Sequence, residues 1–302
     1  MTIQEALQGL RQELSPLYDE SEAAAIARLV LENLTGWGKI DLILNRNELF
    51  PRERMELLKR YTGELMASRP VQYVLGEAWF LGMRFFVNEN TLIPRPETEE
   101  LVEWVSWEIQ QTENPKTGTN HRIKETAGNG KLRILDIGAG SGCIPIALKK
   151  ELPDSIIYSC DISLSALEIA RQNARSNHTE IHFLELDFLD RSNWAFLPDF
   201  QILVSNPPYI PLGEKNSLGL HIREYEPATA LFVTDDNPLV FYKAMADFAK
   251  EKSLGDARIY VEIHESFSGQ VKDLFAARGF SSIEIKKDIH GKDRLIKATL
   301  LL

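Results

Sequence analysis

Ile134-Leu135-Asp136-Ile137-Gly138-Ala139-Gly140-Ser141-Gly142 decides how this chain folds. An apolar run of strand length ends in a turn with glycine at every second position, and a helix over 144–150 follows. Outward from it, strand-like runs near 132–136, 156–160, 181–186, 201–205, 258–263, 282–287 and 295–300 alternate with helical stretches near 144–150, 164–176, 239–252 and 269–278. That alternation predicts an α/β fold with a parallel sheet. Residues 1–69 instead predict a small helical bundle. Ala24, Ile26, Ala27, Val30, Leu31 and Leu34 form a helical apolar face with Ser21 as N-cap and Gly36 as stop. A further helix from Pro51 to about Ser68 turns Met55, Leu57, Leu58, Tyr61 and Leu65 inward. Residues 70–95 change character: Val71-Gln72-Tyr73-Val74-Leu75 and Met83-Arg84-Phe85-Phe86-Val87 are β-prone and punctuated by Gly76 and Gly82. They predict a β-hairpin linker. The α/β domain then spans 96–302 and opens with a helix over 97–110. Within it, residues 111–130 are rich in Thr, Asn, Gly and Lys, show no apolar period, and predict a mobile loop.

The chain has 302 residues, 44% hydrophobic and 26% charged, the profile of a globular protein. Its formal net charge is −10. Residues 1–69 carry 9 Lys/Arg against 11 Asp/Glu, which leaves −8 for the remainder. Neither part has the basic excess of a general nucleic-acid binder, and a partner bearing Lys/Arg patches suits this surface better. There is no run of about 18 apolar residues, so no membrane span is expected. Met1-Thr2-Ile3-Gln4-Glu5 does not open a signal peptide, so the cytoplasm is the expected address. Cys143 and Cys160 form no CxxC or metal arrangement and predict small buried hydrophobes in a reducing compartment. The six histidines form no H-E-x-x-H or Cys/His pattern, so no metal site is expected. His264 predicts a packed or solvated histidine rather than a base. Ser141 and Ser205 have no His/Asp partner at a diagnostic spacing, which argues against a hydrolase triad.

The glycine turn carries the first chemical signal. Glycines permit positive φ and close approach of backbone to a ligand, and the helix start adds free N–H groups and a positive dipole end. The spacing is G-x-G-x-G rather than the G-x-G-x-x-G of dinucleotide sites. Asp136, just before Gly138, Ala139, Gly140, Ser141 and Gly142, is a feature of S-adenosylmethionine sites. On the turn alone, such a site, a dinucleotide site and a ligand-free tight turn all stay open. Asp161 ends the next strand, where a carboxylate accepts from ribose hydroxyls or caps the helix that begins near Ser163. Asp187 and Phe188 end the third strand, placed for an adenine amino group and base face or for a plain strand-end turn. Asn206-Pro207-Pro208-Tyr209 ends the fourth, because two prolines cannot continue a ladder. The Asn206 amide oxygen and the Pro207 carbonyl are acceptors for a planar NH2 group, and Tyr209 is placed to cover it. Asn206, Pro207 and Tyr209 are therefore the candidate catalytic residues. The tetrapeptide points to chemistry on an amide or amine nitrogen, and a nucleobase amino group fits it as a glutamine does.

With these residues placed, the chain resembles the bacterial release factor glutamine methyltransferases over essentially its whole length. The motifs that carry the resemblance are Leu92-Ile93-Pro94-Arg95-Pro96-Glu97-Thr98-Glu99, the glycine turn, Asn206-Pro207-Pro208-Tyr209-Ile210, and Glu224-Tyr225-Glu226-Pro227-Ala228-Thr229-Ala230-Leu231. DNA and RNA adenine or cytosine amino-methyltransferases share the tetrapeptide but not this combination. The resemblance implies a Rossmann-like class I S-adenosylmethionine-dependent sheet of seven strands, a hairpin linker, and a helical N-terminal domain that helps dock the release factor. It implies N5-methylation of the glutamine in the Gly-Gly-Gln motif of class 1 peptide chain release factors; separately, one active site formed within one chain makes a monomer the expected state. Carried over by position, Gly138 to Gly142, Asp161, Phe188 and Asn206 hold the cofactor, and Asn206 to Tyr209 hold the glutamine. The chain departs from its relatives in three places. Phe188 stands where some have Trp, His264 where many have glycine, and 111–130 reads as a surface insertion.

Overall fold

The computed structural model describes residues 1–113 and 131–301. The chain divides into two units, Met1–Glu77 with Leu218–Tyr225, and Ala78–Ser217 with Glu226–Leu302. Among the described residues no helix is long and apolar enough to cross a membrane.

In the second unit, β1 (Glu77–Phe80, shared with the first unit at Glu77) and β2 (Met83–Phe86) make a hairpin. They are followed by β3 (Arg133–Ile137), β4 (Ile156–Asp161), β5 (His182–Glu185) and β6 (Phe200–Ser205). Two short strands, β7 (Ile210–Pro211) and β8 (Phe232–Val233), pair with each other. β9 (Ser253–Glu262), β10 (Ser281–Lys287) and β11 (Asp293–Leu300) complete the set. The seven-stranded sheet has the order β10-β11-β9-β6-β3-β4-β5. Its five strands β5, β4, β3, β6 and β9 run parallel, and β11 is antiparallel to both β9 and β10.

The central strands are buried on both faces, and their side chains alternate between two cores. Leu135 and Ile137 of β3, Leu203 of β6, and Ile259 and Val261 of β9 join one cluster. Ile134, Ile202, Val204 and Tyr260 join the other. Each fully buried aliphatic side chain contributes roughly 1.5–3 kcal/mol, so one-residue slips of register are strongly disfavoured. The chain steps outward from β3 to β4 and β5 on one side, and to β6 and β9 on the other. The reversal lies between β3 and β6, where open α/β sheets form a crevice at their carboxyl ends. Ile137 pairs with Ser205 on one flank and Cys160 on the other. That register sets Gly138 and Asn206 side by side, one residue past the ladder.

The helical unit contains helices Ile3–Leu14, Glu20–Thr35, Lys39–Leu44, Met55–Met66 and Val71–Leu75. Ile26, Ala27, Val30, Leu31, Leu34, Leu58, Tyr61 and Leu65 share its core. Two sequence expectations are corrected there. Asp19, not Ser21, caps the second helix: its carboxylate accepts from the Glu22 N–H at 2.9 Å, and the Ser21 hydroxyl donates to the same oxygen. Residues 71–75 are a single helical turn rather than a strand. Val71, Val74 and Leu75 lie at i, i+3 and i+4 and pack on the helical core. The Pro70 carbonyl accepts from Tyr73 and Val74, and Gly76 closes the turn at φ 71°. Burial on one helical face overrides the β-propensity of these residues. The hairpin therefore begins later, and its turn residues Leu81 and Gly82 both have positive φ, as a two-residue hairpin turn with matching twist requires. The helix expected over 97–110 runs Pro96–Glu113; the rest of the 111–130 stretch lies outside the described residues.

Candidate functional site

A cavity of about 470 Å³ opens at the carboxyl ends of β3, β4, β5 and β6. Gly138, Ala139, Gly140, Ser141, Asp161, Asp187, Phe188, Asn206, Pro207 and Pro208 line it, whereas Asp136, Gly142 and Tyr209 do not. Four consecutive strand ends thus bring together motifs that lie up to 70 residues apart.

The glycine turn is held from behind. Gly138, Gly140 and Gly142 have φ of 84°, 52° and 82°, which side chains rarely tolerate. The N–H groups of Gly138 and Ala139 both donate to the Cys160 carbonyl, at 2.9 and 3.0 Å. The Gly140 N–H donates to Asp161 Oδ2 at 2.9 Å, and Asp161 Oδ1 accepts from the Ser163 N–H. The N–H groups of Gly138, Ala139 and Gly140 are therefore spent on the end of the neighbouring strand, β4. Ser163, not Asp161, caps the following helix. Asp161 clamps the turn, and each of its oxygens keeps further acceptor capacity toward the cavity. A Cβ on Gly142 would lie 3.1 Å from Ile146 Cδ1 and 3.2 Å from Ala170 Cα, so this glycine serves helix packing. Asn173, fully buried, donates to the Ser141 and Phe86 carbonyls and accepts from the Phe86 N–H at 2.7 Å. It pins the turn to the hairpin.

Asp136 has no exposed surface. The Ser159 hydroxyl donates to its Oδ2 at 2.6 Å, while its Oδ1 has no partner among the described residues. Burial pushes this carboxyl well above its ordinary value, against the Ser159 hydrogen bond, and the nearby Asp161 charge adds to the rise. Asp187 Oδ1 accepts from the Leu189 N–H at 2.9 Å. Phe188 is only 4% exposed and packs against Trp194 and Phe248 with ring centroids 5.9 and 5.4 Å away. Its place in that aromatic cluster fixes the cavity wall. Cys160 is buried as expected, whereas Cys143, on the cavity wall, is only partly buried, its thiol raised to about 12 by desolvation.

Asn206 is tied into a buried polar group. Its Nδ2 donates to Thr98 Oγ1 at 3.0 Å, the Thr98 hydroxyl donates to Glu262 Oε2 at 2.7 Å, and the Tyr209 hydroxyl donates to Glu262 Oε1 at 2.8 Å. Glu262 is 2% exposed. Burial pushes its carboxyl up, opposed by the Thr98 and Tyr209 hydroxyls and the Arg294 charge. The Tyr209 hydroxyl thus faces Glu262, and Tyr209 is not among the residues that line the cavity. Sequence reasoning missed Glu262 altogether. Its one signal was a carboxylate inside the apolar run Ile259-Tyr260-Val261-Glu262-Ile263. Beside it, His264 Nε2 lies 3.2 Å from Glu214 Oε2, its Nδ1 accepts from the Ser266 N–H, and its ring meets Tyr209 edge-on. It is a packed histidine, as expected.

Arg95 and Glu226 form an ion pair, with the Glu226 side chain wholly buried and its second oxygen 3.4 Å from the Ile93 N–H. The pair joins two wall segments, one through Pro94, Arg95 and Thr98, the other through Pro227, Thr229 and Ala230.

Comparison with known proteins agrees with this geometry. The family model of the PrmC N-terminal domain matches residues 5–76, and that of the methyltransferase small domain matches 116–223. The release factor glutamine methyltransferase of Flavobacterium psychrophilum is 38% identical over 95% of this chain and 95% of its own length. That of Bacteroides thetaiotaomicron is 32% identical over 96% and 97%. The solved hMettl16 catalytic domain shares the fold, with a TM-score of 0.50 and 13% identity over 83% of this chain and 82% of that one. The sheet is a Rossmann-like class I methyltransferase sheet, and with relatives this similar along nearly its full length the chain belongs to the release factor glutamine methyltransferase family.

Proposed function

We propose that the protein transfers a methyl group from S-adenosyl-L-methionine to the side-chain nitrogen of the glutamine in the Gly-Gly-Gln motif of class 1 peptide chain release factors. The observation that carries this reading is the Asn206 amide at the end of β6, oriented by Thr98 in a cavity it shares with the glycine turn. The family's substrate class supplies the target.

The residues present suit the cofactor. The cavity of about 470 Å³ falls within the roughly 300–1,000 Å³ of small-molecule sites. A Cβ built on Gly140 meets no atom within 4 Å although the residue lies on the wall, so the turn keeps open a space that protein does not fill. Asp136 brings a buried carboxylate with an unpartnered oxygen, a negative centre that a cationic ligand offsets. Gly138 to Ser141, Asp161, Asp187, Phe188 and Asn206 would hold it. When bound, S-adenosylmethionine supplies an electrophilic methyl group on a sulfonium centre.

An amide nitrogen is a weak nucleophile because its lone pair is delocalised. Asn206 Oδ1 and the Pro207 carbonyl accept its two N–H groups, fix its plane and increase electron density on nitrogen. Pro208 supplies apolar wall that excludes water. No strong base is needed before transfer, because the proton can leave the product nitrogen afterwards. The helical unit contributes docking of the release factor. The test is labelled S-adenosylmethionine with purified release factor and its Gly-Gly-Ala variant. Label confined to the glutamine-bearing protein is expected; equal label in both, or transfer to nucleic acid instead, would overturn the reading.

A further inference from the structure

We infer that Thr98 and Glu262 are positioning residues that fix the polarity of the Asn206 amide, so that its oxygen rather than its NH2 group meets the substrate nitrogen. The inference rests on the methyl-transfer reading above and deepens it.

The reasoning follows the protons. An ionised carboxylate accepts hydrogen bonds and donates none. Glu262 receives two hydroxyls, Thr98 on Oε2 at 2.7 Å and Tyr209 on Oε1 at 2.8 Å. Threonine has one hydroxyl proton. Once it points at Glu262, Thr98 Oγ1 presents only lone pairs to Asn206, and Nδ2 at 3.0 Å is the group that satisfies them. A flipped amide would set Oδ1 against Thr98 Oγ1, two acceptors in contact within a buried site, at a cost comparable to a lost buried hydrogen bond. The network thus excludes the flipped rotamer, which bond lengths alone do not distinguish.

The polarity matters because the two ends of the amide select opposite partners. With Oδ1 toward the cavity, Asn206 accepts from a substrate N–H. With NH2 toward the cavity, it opposes another NH2 group and orients nothing. Glu262 sits at the carboxyl end of β9 and Thr98 in the first turn of the helix Pro96–Glu113. The device therefore ties the nucleophile's acceptor to two elements outside the tetrapeptide. Further contacts hold Glu262 itself: the Tyr242 hydroxyl donates to its main-chain oxygen at 3.0 Å, and Arg294 Nη1 donates to the next carbonyl, Ile263, at 3.2 Å. The Glu262→Gln change keeps the shape but puts an NH2 group on one of the two hydroxyls. If that NH2 faces Thr98, the threonine proton turns toward Asn206 and the amide flips.

The experiment compares wild type, Thr98→Val, Thr98→Ser, Glu262→Gln and the Thr98→Val/Glu262→Gln double variant. The readouts are turnover on release factor, binding of S-adenosylhomocysteine by calorimetry, and melting temperature. Thr98→Val should lower kcat on the order of 10- to 100-fold, the scale on which small misplacement of reacting groups acts, and Glu262→Gln should do the same to the extent that its NH2 faces Thr98. S-adenosylhomocysteine affinity should fall far less than kcat, since Asn206 is one of several residues that would hold the cofactor whereas the relay alone orients the nucleophile. The double variant should be no slower than the slower single variant, because the residues act as one unit. Thr98→Ser, which keeps the hydroxyl, should recover most of the turnover. Turnover within twofold of wild type in folded Thr98→Val and Glu262→Gln overturns the inference. So do losses that multiply in the double variant, or a fall in S-adenosylhomocysteine affinity that matches the fall in kcat. If Glu262→Gln fails to fold, the Thr98 pair decides alone. A wild-type protein that leaves the release-factor glutamine unlabelled overturns the methyl-transfer reading itself, and the relay's assigned purpose with it.

Discussion

A carboxylate with no exposed surface and one unpartnered oxygen destabilises a fold unless something offsets its charge. Asp136 is in that position, on β3, the middle one of the five parallel strands. Its ordinary value, about 4, is raised in the folded chain by burial. A raised carboxyl binds its proton more tightly folded than unfolded. Its favourable contribution is therefore complete below about pH 4 and is lost as pH rises through the folded value. Asparagine has the same shape, still accepts from Ser159, and does not ionise. Asp136→Asn should melt higher than wild type near pH 8 by a few degrees, and the gap should close as pH falls toward about 4. The same variant should bind S-adenosylmethionine more weakly, since the negative centre that suits a sulfonium is gone. Paired thermal melts across pH, with calorimetric titration at pH 8, test both halves. A gap that is constant with pH would mean that Asp136 does not titrate in this range. The residue's place before a glycine turn was legible in the sequence. Its isolation was not, because hydrogen-bond partners such as Ser159 come from a neighbouring strand.

At the scale of elements, the parallel strands were legible because each is an apolar run flanked by helical periodicity, and the turn residues mark their ends. The contacts that shape the cavity were less so. Arg95 and Glu226 stand 131 residues apart, and no local pattern reveals that one neutralises the other. The pair explains why a Pro-Arg-Pro-Glu-Thr stretch and a Glu-Tyr-Glu-Pro stretch belong to one site. Glu226 is buried, and Arg95 is its charged partner. Arg95→Ala should destabilise the chain by about 3 kcal/mol, the low end for stripping one partner from a buried pair. Part of that loss should return in Arg95→Ala/Glu226→Gln, where the stranded charge is also removed. Chemical denaturation of the single and double variants measures this; additive losses would mean that the two segments are held by other contacts. Local pattern likewise failed at 71–75, where Val-Gln-Tyr-Val-Leu has the composition of a strand. The alternatives were separable only by its i, i+3, i+4 spacing against the helical core.

At the scale of the whole molecule, the sequence showed a helical part and an α/β part, but not that Leu218–Tyr225 belongs with the former. That segment lies between the tetrapeptide and Glu226 in the sequence, and its Tyr225 hydroxyl donates to the Ala67 carbonyl at 2.7 Å. Leu218–Tyr225, the eight residues just before Glu226, are thus part of the unit proposed to dock the protein substrate. The net charge of −10 bears on that docking. Attraction between an acidic surface and Lys/Arg patches on a partner is screened beyond about 8–10 Å at physiological salt, and such attraction acts chiefly on the rate of encounter. A short peptide carrying Gly-Gly-Gln presents the nucleophile without the partner's surface. Raising NaCl from about 50 to 300 mM should therefore lower kcat/KM for intact release factor several-fold, mainly through KM, and change that for the peptide little. Initial rates on both substrates across the salt series decide the matter. Equal salt slopes would place recognition in the cavity alone and leave the chain's acidic surface without a role in docking.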